Sequence, residues 1–220
     1  MTTLKKMAQM AVVTGFIAVV VFGVSGRTDL PNLWAYVALF GVFGFVGALV
    51  VDPELMRERR RPGPGGVDRG VLLSMRLLFL SHLLVGLFDV GRVHWTDSVP
   101  LSLQLLGSAL CVAGFGIFIW AMSANRFFST IVRLQTERGH RAIDTGPYAL
   151  VRHPGYLGMQ LAAPGSALML GSWASLVPAL ALVALVVYRT SFEDGFLRQT
   201  LAGYADYSAR VKYRLIPGVW

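Results

Sequence analysis

The chain has one cysteine, Cys111, and it lies inside an apolar run. That excludes an intrachain disulfide and a multi-cysteine metal site. The four histidines are scattered without ligand spacing, so no metal centre is expected. Charge is also scarce: 15% of residues are charged and 55% hydrophobic, against about 25% and about 45–50% in soluble domains. Lysine is confined to Lys5, Lys6 and Lys212. That bias toward arginine suggests a GC-rich bacterial genome. No small-residue cleavage site follows the first apolar run, which is one of several, so it is not read as a removable signal peptide.

What the chain has is long apolar segments, near the twenty residues needed to span a bilayer core about 30 Å thick. They fall at about Met7–Gly23, Pro31–Val51, Val71–Val90, Pro100–Ala124, Tyr156–Leu170 and Trp173–Tyr188. The expected fold is all-α, a polytopic integral membrane protein with about six hydrophobic segments. Gly171-Ser172 leaves so short a break that the last two form a tight helical hairpin, the first of them brief for a full span. The tail from Ser191 to Trp220 is amphipathic and aromatic, and is expected to be a cytoplasmic helix ending near Pro217. The domain division is then 1–124 for four transmembrane helices and 125–220 for a functional core. Within that core, 125–153 is a cytoplasmic loop, 154–190 the hairpin and 191–220 the C-terminal helix.

The net charge of +8 is a matter of topology. With six spans, seventeen of the twenty basic residues fall on one side, only Arg27 and Arg92 on the other, and Arg76 within a span. The positive-inside rule places both termini and the central loop in the cytoplasm, in a bacterial inner membrane. The expected contacts of these charges are anionic lipid headgroups, not nucleic acid. The arginine-rich loop Asp52–Gly70 is read as meeting such lipid, with a substrate-headgroup clamp as the sharper alternative. Polar groups inside spans are candidates for function. Even so, His82 and Asp89, on one helical face, are read as a structural contact between helices. Gly107, Gly114 and Gly116 allow close helix packing.

The stretch Gly139–Gly158, GHRAIDTGPYALVRHPGYLG, is polar and punctuated by turns between apolar segments. Pro154 suits a first helical turn, whose free N–H groups favour an anion. His140, Tyr148, His153 and Tyr156 offer hydrogen bonds and stacking; a structured loop with interfacial aromatics is the other reading of the same residues. Farther on, Arg189 and Glu193 stand at i and i+4 and can pair with each other. Alternatively, the arginine orients a substrate carboxylate or phosphate, and the glutamate holds a cationic group or accepts a proton.

These residues carry a resemblance. The stretch Gly139–Gly158, the Arg189–Asp194 element R-x-x-x-E-D, Tyr204-x-x-Tyr207 and Arg214-Leu-Ile-Pro217 together resemble the isoprenylcysteine carboxyl methyltransferase family, which is akin to the phospholipid N-methyltransferases. The likeness covers about Gln135–Pro217. It implies an enzyme that binds S-adenosylmethionine between central loop and tail, with a lipophilic or lipid-anchored acceptor arriving from the bilayer. Carried over by position, Gln135, His140, Ala142, Ile143, Gly146, Tyr148, His153, Pro154, Tyr156 and Gly158 would line the cofactor site. Arg189 and Glu193 would act where cofactor and acceptor meet. Ala142-Ile143 replaces the family's usual leucine-valine, and Asp194 its second glutamate. Membrane sterol and steroid reductases, which use NADPH, resemble the tail too, but Gly155 and Met159 stand where those enzymes usually have Asn and an acidic residue. A non-enzymatic membrane subunit with the same fold is the third reading.

Overall fold

The computed structural model describes residues 3–220. Eight helices follow in order: α1 Thr3–Ser25, α2 Pro31–Val50, α3 Pro53–Arg60, α4 Arg69–Phe88, α5 Leu101–Ala124, α6 Pro154–Leu170, α7 Trp173–Thr200 and α8 Tyr204–Arg210. No strand is assigned among the described residues. Five segments are long and apolar enough to cross a membrane: Lys5–Ser25, Pro31–Val50, Arg69–Val93, Leu101–Ala124 and Trp173–Thr200. The remaining apolar helix, α6, has 17 residues. At about 1.5 Å per residue it falls short of a bilayer core about 30 Å thick.

α6 is nevertheless built into the bundle, because it runs antiparallel against α5 with almost no side chain between them. A Cβ on Gly107 would stand 2.5 Å from the Gly165 carbonyl oxygen, and one on Gly114 would stand 2.5 Å from that of Gly158. The two pairs are seven residues apart on both helices, so two turns of backbone meet directly. This is small-residue packing of the kind that replaces the hydrophobic effect inside a bilayer. Gly116, expected to take part, faces outward with nothing near its Cβ position.

Two polar seams tie α4 to the α6–α7 hairpin. His82 on α4 bonds through Nε2 to Ser166 Oγ on α6 at 2.8 Å, and through Nδ1 to Ser175 Oγ on α7 at 2.7 Å. Buried Asp89, in the π-turn Asp89–Val93 that ends α4, accepts hydrogen bonds from Thr96 and from Ser172 in the α6–α7 turn. Both residues therefore serve as contacts between helices.

The loops gather at two ends. The 89–100 connection and the α6–α7 turn meet at one, with Trp173 N–H donating to the Thr96 carbonyl. At the other end lie residues 51–69, 125–153 and 201–220. There α3 is laced to the α5–α6 loop by Glu58–Arg133 at 2.9 Å, Glu54–Arg138 at 3.1 Å and Glu54–Arg126 at 3.6 Å. Residues 152–153 pair with the tail through Arg152 N–H to Tyr213 O and His153 N–H to Arg214 O. The sequence suggests a new helix from Ser191. Instead, α7 continues unbroken to Thr200, and after a turn at Gly203 the tail adds only α8 and a coil.

Candidate active site

Between α3, the α5–α6 loop, the start of α6 and the far end of α7 lies a cavity of about 190 Å³. Gln135, His140, Ala142, Ile143, Tyr148, His153, Tyr156, Arg189 and Glu193, all singled out in the sequence, contribute to its wall. Three others do not. Pro154 is buried at the first turn of α6, and Gly146 is a left-handed turn residue beside Trp120 and Ala124. Gly158 faces Gly114 on α5.

The loop wall is braced from within. Gln135 donates to the Phe127 carbonyl at 2.7 Å and accepts from Arg138, while its backbone N–H donates to His140 Nδ1 at 3.3 Å. That bond leaves the His140 proton on Nε2. Burial, with Arg133 and Arg138 nearby, lowers the His140 pKa to about 4. His140 is thus a neutral donor at physiological pH. Tyr148 is held by the short 3-10 turn Gly146–Ala149, and burial pushes its hydroxyl well above the ordinary range. The His153 and Tyr156 rings lie nearly parallel, at 16° and 5.8 Å between centroids.

On α7 the expected pairing of Arg189 with Glu193 does not form. Arg189 Nη2 lies 2.6 Å from Asp68 Oδ2 and donates to the Thr130 carbonyl at 2.7 Å. The contact with Asp68 is oblique, an ion pair and not a hydrogen bond. Glu193 instead accepts the Tyr156 hydroxyl at 2.5 Å. The Arg189 guanidinium sits over the Tyr156 ring, 5.6 Å from its centroid. Arg189 Nε is buried with no partner among the described residues. An acceptor atom on a bound ligand would satisfy it.

The next residue, Asp194, turns away from the cavity and is the centre of a buried ion cluster. Arg152 meets it at 2.7 and 3.1 Å, Tyr204 Oη at 3.0 Å, Arg214 Nε at 3.1 Å and His153 Nε2 at 3.4 Å. Arg152 also donates to the carbonyls of Val211 and Lys212, each at 2.7 Å. Burial opposes the Arg152 charge, yet the Asp194 carboxylate outweighs it and raises the pKa. Adjacent carboxylates thus divide the work, Glu193 lining the cavity and Asp194 fixing the tail that closes it. Sequence reading found Glu193 but missed Asp68 and Arg59. The one signal in the sequence that could have marked Asp68 is its place as the acid just before an apolar run, a helix N-cap position.

A second cavity of about 180 Å³ is lined almost wholly by apolar side chains, among them Phe40, Phe79, Phe115, Ala162 and Leu182. It shares Phe118 and Met159 with the first, so the two adjoin.

Comparison with known proteins finds relatives among methyltransferases. Residues 103–203 match the phospholipid methyltransferase family. The "Probable protein-S-isoprenylcysteine O-methyltransferase" of Oryza sativa subsp. indica is 30% identical over 149 residues, 66% of this chain and 75% of that protein. "Protein-S-isoprenylcysteine O-methyltransferase B" of Arabidopsis thaliana is 24% identical over 149 residues, covering 66% and 73%. The namesake of Schizosaccharomyces pombe (strain 972 / ATCC 24843) is 30% identical over 137 residues, covering 61% and 53%.

The chain belongs to the isoprenylcysteine carboxyl methyltransferase family. It is a membrane methyltransferase, and the reductase reading is not favoured. As in the family at large, the methyl donor expected is S-adenosylmethionine. Arg189 and Glu193 of α7 and His140, Tyr148, His153 and Tyr156 of the Gly139–Gly158 stretch line one cavity, with the apolar cavity beside it.

Proposed function

We propose that the polar cavity holds S-adenosylmethionine and that the apolar cavity receives the hydrophobic part of the methyl acceptor. The observation that carries this reading is the adjacency of the two cavities through Phe118 and Met159. Bound S-adenosylmethionine supplies an activated methyl group on a sulfonium centre. The protein's task is then alignment and exclusion of water. Gln135, His140, Ala142, Ile143, Tyr148, His153 and Tyr156 hold the donor, while Gly146, Pro154 and Gly158 shape the backbone behind it. Glu193 offers a carboxylate to the donor's positive charge, fixed by the Tyr156 hydroxyl. Arg189, made rigid by Asp68 and Thr130, presents its free Nε edge to an acceptor atom.

The relatives' names support an S-prenylated cysteine carboxylate or a similarly lipophilic molecule as acceptor. Both termini and the polar cavity face the cytoplasm in this reading, since the end holding the cavity also carries most of the basic residues.

Calorimetric titration of the detergent-purified protein with S-adenosylmethionine, S-adenosylhomocysteine and NADPH tests the donor site. Micromolar binding of the first two, with none of NADPH, is expected. NADPH binding alone overturns the assignment. Transfer of a labelled methyl group to a panel of prenylated and lipid acceptors then tests the second cavity.

A further inference from the structure

The wall of the polar cavity carries five arginines, Arg59, Arg133, Arg141, Arg152 and Arg189, and a single acidic side chain, Glu193. Three of these cations are neutralised within the fold: Arg133 by Glu58 and Glu137, Arg152 by Asp194, and Arg189 by Asp68. Arg141 is exposed to solvent. Arg59 differs from all of these. It projects from α3 into the wall and has no carboxylate within ion-pairing distance among the described residues. Its one side-chain hydrogen bond is Nη1 to the Phe128 carbonyl at 3.2 Å. The Phe118 and Phe128 rings lie 5.6 and 5.1 Å from its guanidinium carbon.

Two aromatic faces attract a guanidinium and limit its movement, but they leave most of its five N–H donors unused. A cation removed from water without a counter-charge costs free energy. Burial indeed pulls the Arg59 pKa down from 12.5 to about 10. A planar fork of donors held by ring stacking and aimed into a ligand cavity matches a carboxylate, which it can take bidentately. Glu193 and Arg59 would then divide a zwitterionic ligand, the glutamate taking positive charge and the arginine negative.

We propose that Arg59 is a carboxylate-binding residue of this cavity, the counter-charge coming from the ligand. This rests on the donor-site reading above. Two ligands could bring the carboxylate, the amino-acid end of the methyl donor or the acceptor itself, and the same experiment separates them.

Full-length wild-type, Arg59→Gln and Arg59→Lys proteins are titrated with S-adenosylhomocysteine and with 5′-methylthioadenosine, which has the same nucleoside and thioether but no amino-acid group. Initial rates are measured with N-acetyl-S-farnesylcysteine. If the donor brings the carboxylate, Arg59→Gln raises the Kd of S-adenosylhomocysteine about ten-fold or more and leaves that of methylthioadenosine unchanged, the loss expected for one charge-assisted contact. If the acceptor brings it, both Kd values hold and the acceptor KM rises by a similar factor at constant kcat. Arg59→Lys restores part of either loss, keeping the charge without the fork. Equal weakening of both nucleosides overturns the proposal, because it marks Arg59 as a shaping residue only. No change in any Kd or KM overturns it as well. Wild-type protein that binds neither nucleoside sinks the donor-site reading itself, and this proposal with it.

Discussion

Arg189 pairs with Asp68, 2.6 Å away at the start of α4, and not with Glu193 one turn along its own helix. The choice has a geometric basis. Glu193 is drawn to the Tyr156 hydroxyl on α6, while Asp68 also accepts the Val132 N–H at 2.7 Å, so one carboxylate ties α4, the α5–α6 loop and α7 together. Arg189 is thereby oriented from outside its own helix, with Nε left unpaired among the described residues.

Asp68→Asn is expected to lower turnover roughly 100-fold, the order of loss from misplacing a catalytic group by about 1 Å. The Kd of S-adenosylmethionine stays near the wild-type value, because Arg189 is assigned to the acceptor. Single-turnover rates and calorimetry on one preparation check this. Unaltered turnover would remove the Asp68–Arg189 pair from the mechanism.

Asp194→Ala leaves Arg152 buried and uncompensated. Loss of one partner of a buried pair costs about 3–5 kcal/mol, so a large drop in Tm is expected. Hydrogen exchange at residues 211–215 should rise most, since Arg152 and His153 hold that coil. Protection there equal to wild type would show that the tail closes the cavity without the cluster.

Glu193→Gln separates charge from shape. S-adenosylmethionine carries a sulfonium and its demethylated product does not. If Glu193 faces the sulfonium, the variant weakens the first by about ten-fold or more and the second much less. Equal losses would place Glu193 on the shared amino group instead, and no loss for either would exclude it from donor binding.

Gly114→Leu and Gly107→Leu are expected to separate α5 from α6, because a Cβ at either glycine meets backbone 2.5 Å away. Overpacking of this kind costs about 1–3 kcal/mol or more. Gly116→Leu, on the outward face of the same helix, should leave the melting temperature unchanged. The three melting curves in detergent decide it.

His140 sets an acid limit. Its folded pKa, about 4, lies below the ordinary value of 6.5, so the fold favours the neutral ring. The stabilisation is complete above the unfolded pKa and is lost as pH falls from there toward about 4. The Tm should decline through that window, and His140→Gln should flatten the decline. A variant with the same acid slope as wild type would assign the slope elsewhere.

The apolar runs alone determined the long apolar helices, because backbone polar groups in a bilayer must be satisfied within the segment. Gly107 and Gly114 were legible as packing residues for the same reason: close approach there needs the absence of a side chain. Gly139–Gly158 and Arg189–Asp194 were legible as a candidate site through the family resemblance that their motifs carry, since composition alone leaves a structured loop and a helix-end ion pair equally open. Other assignments were decided only by tertiary structure. Whether Arg189 pairs with Glu193 or Asp68, and whether Gly116 packs or faces outward, depends on rotation about the helix axis and on neighbours far away in sequence. Arg59 and Asp68 looked like members of a solvated, charge-rich loop. Their surroundings became readable only once α3 folded under the α5–α6 loop, since counter-charge is a property of who lies within about 4 Å, not of order along the chain.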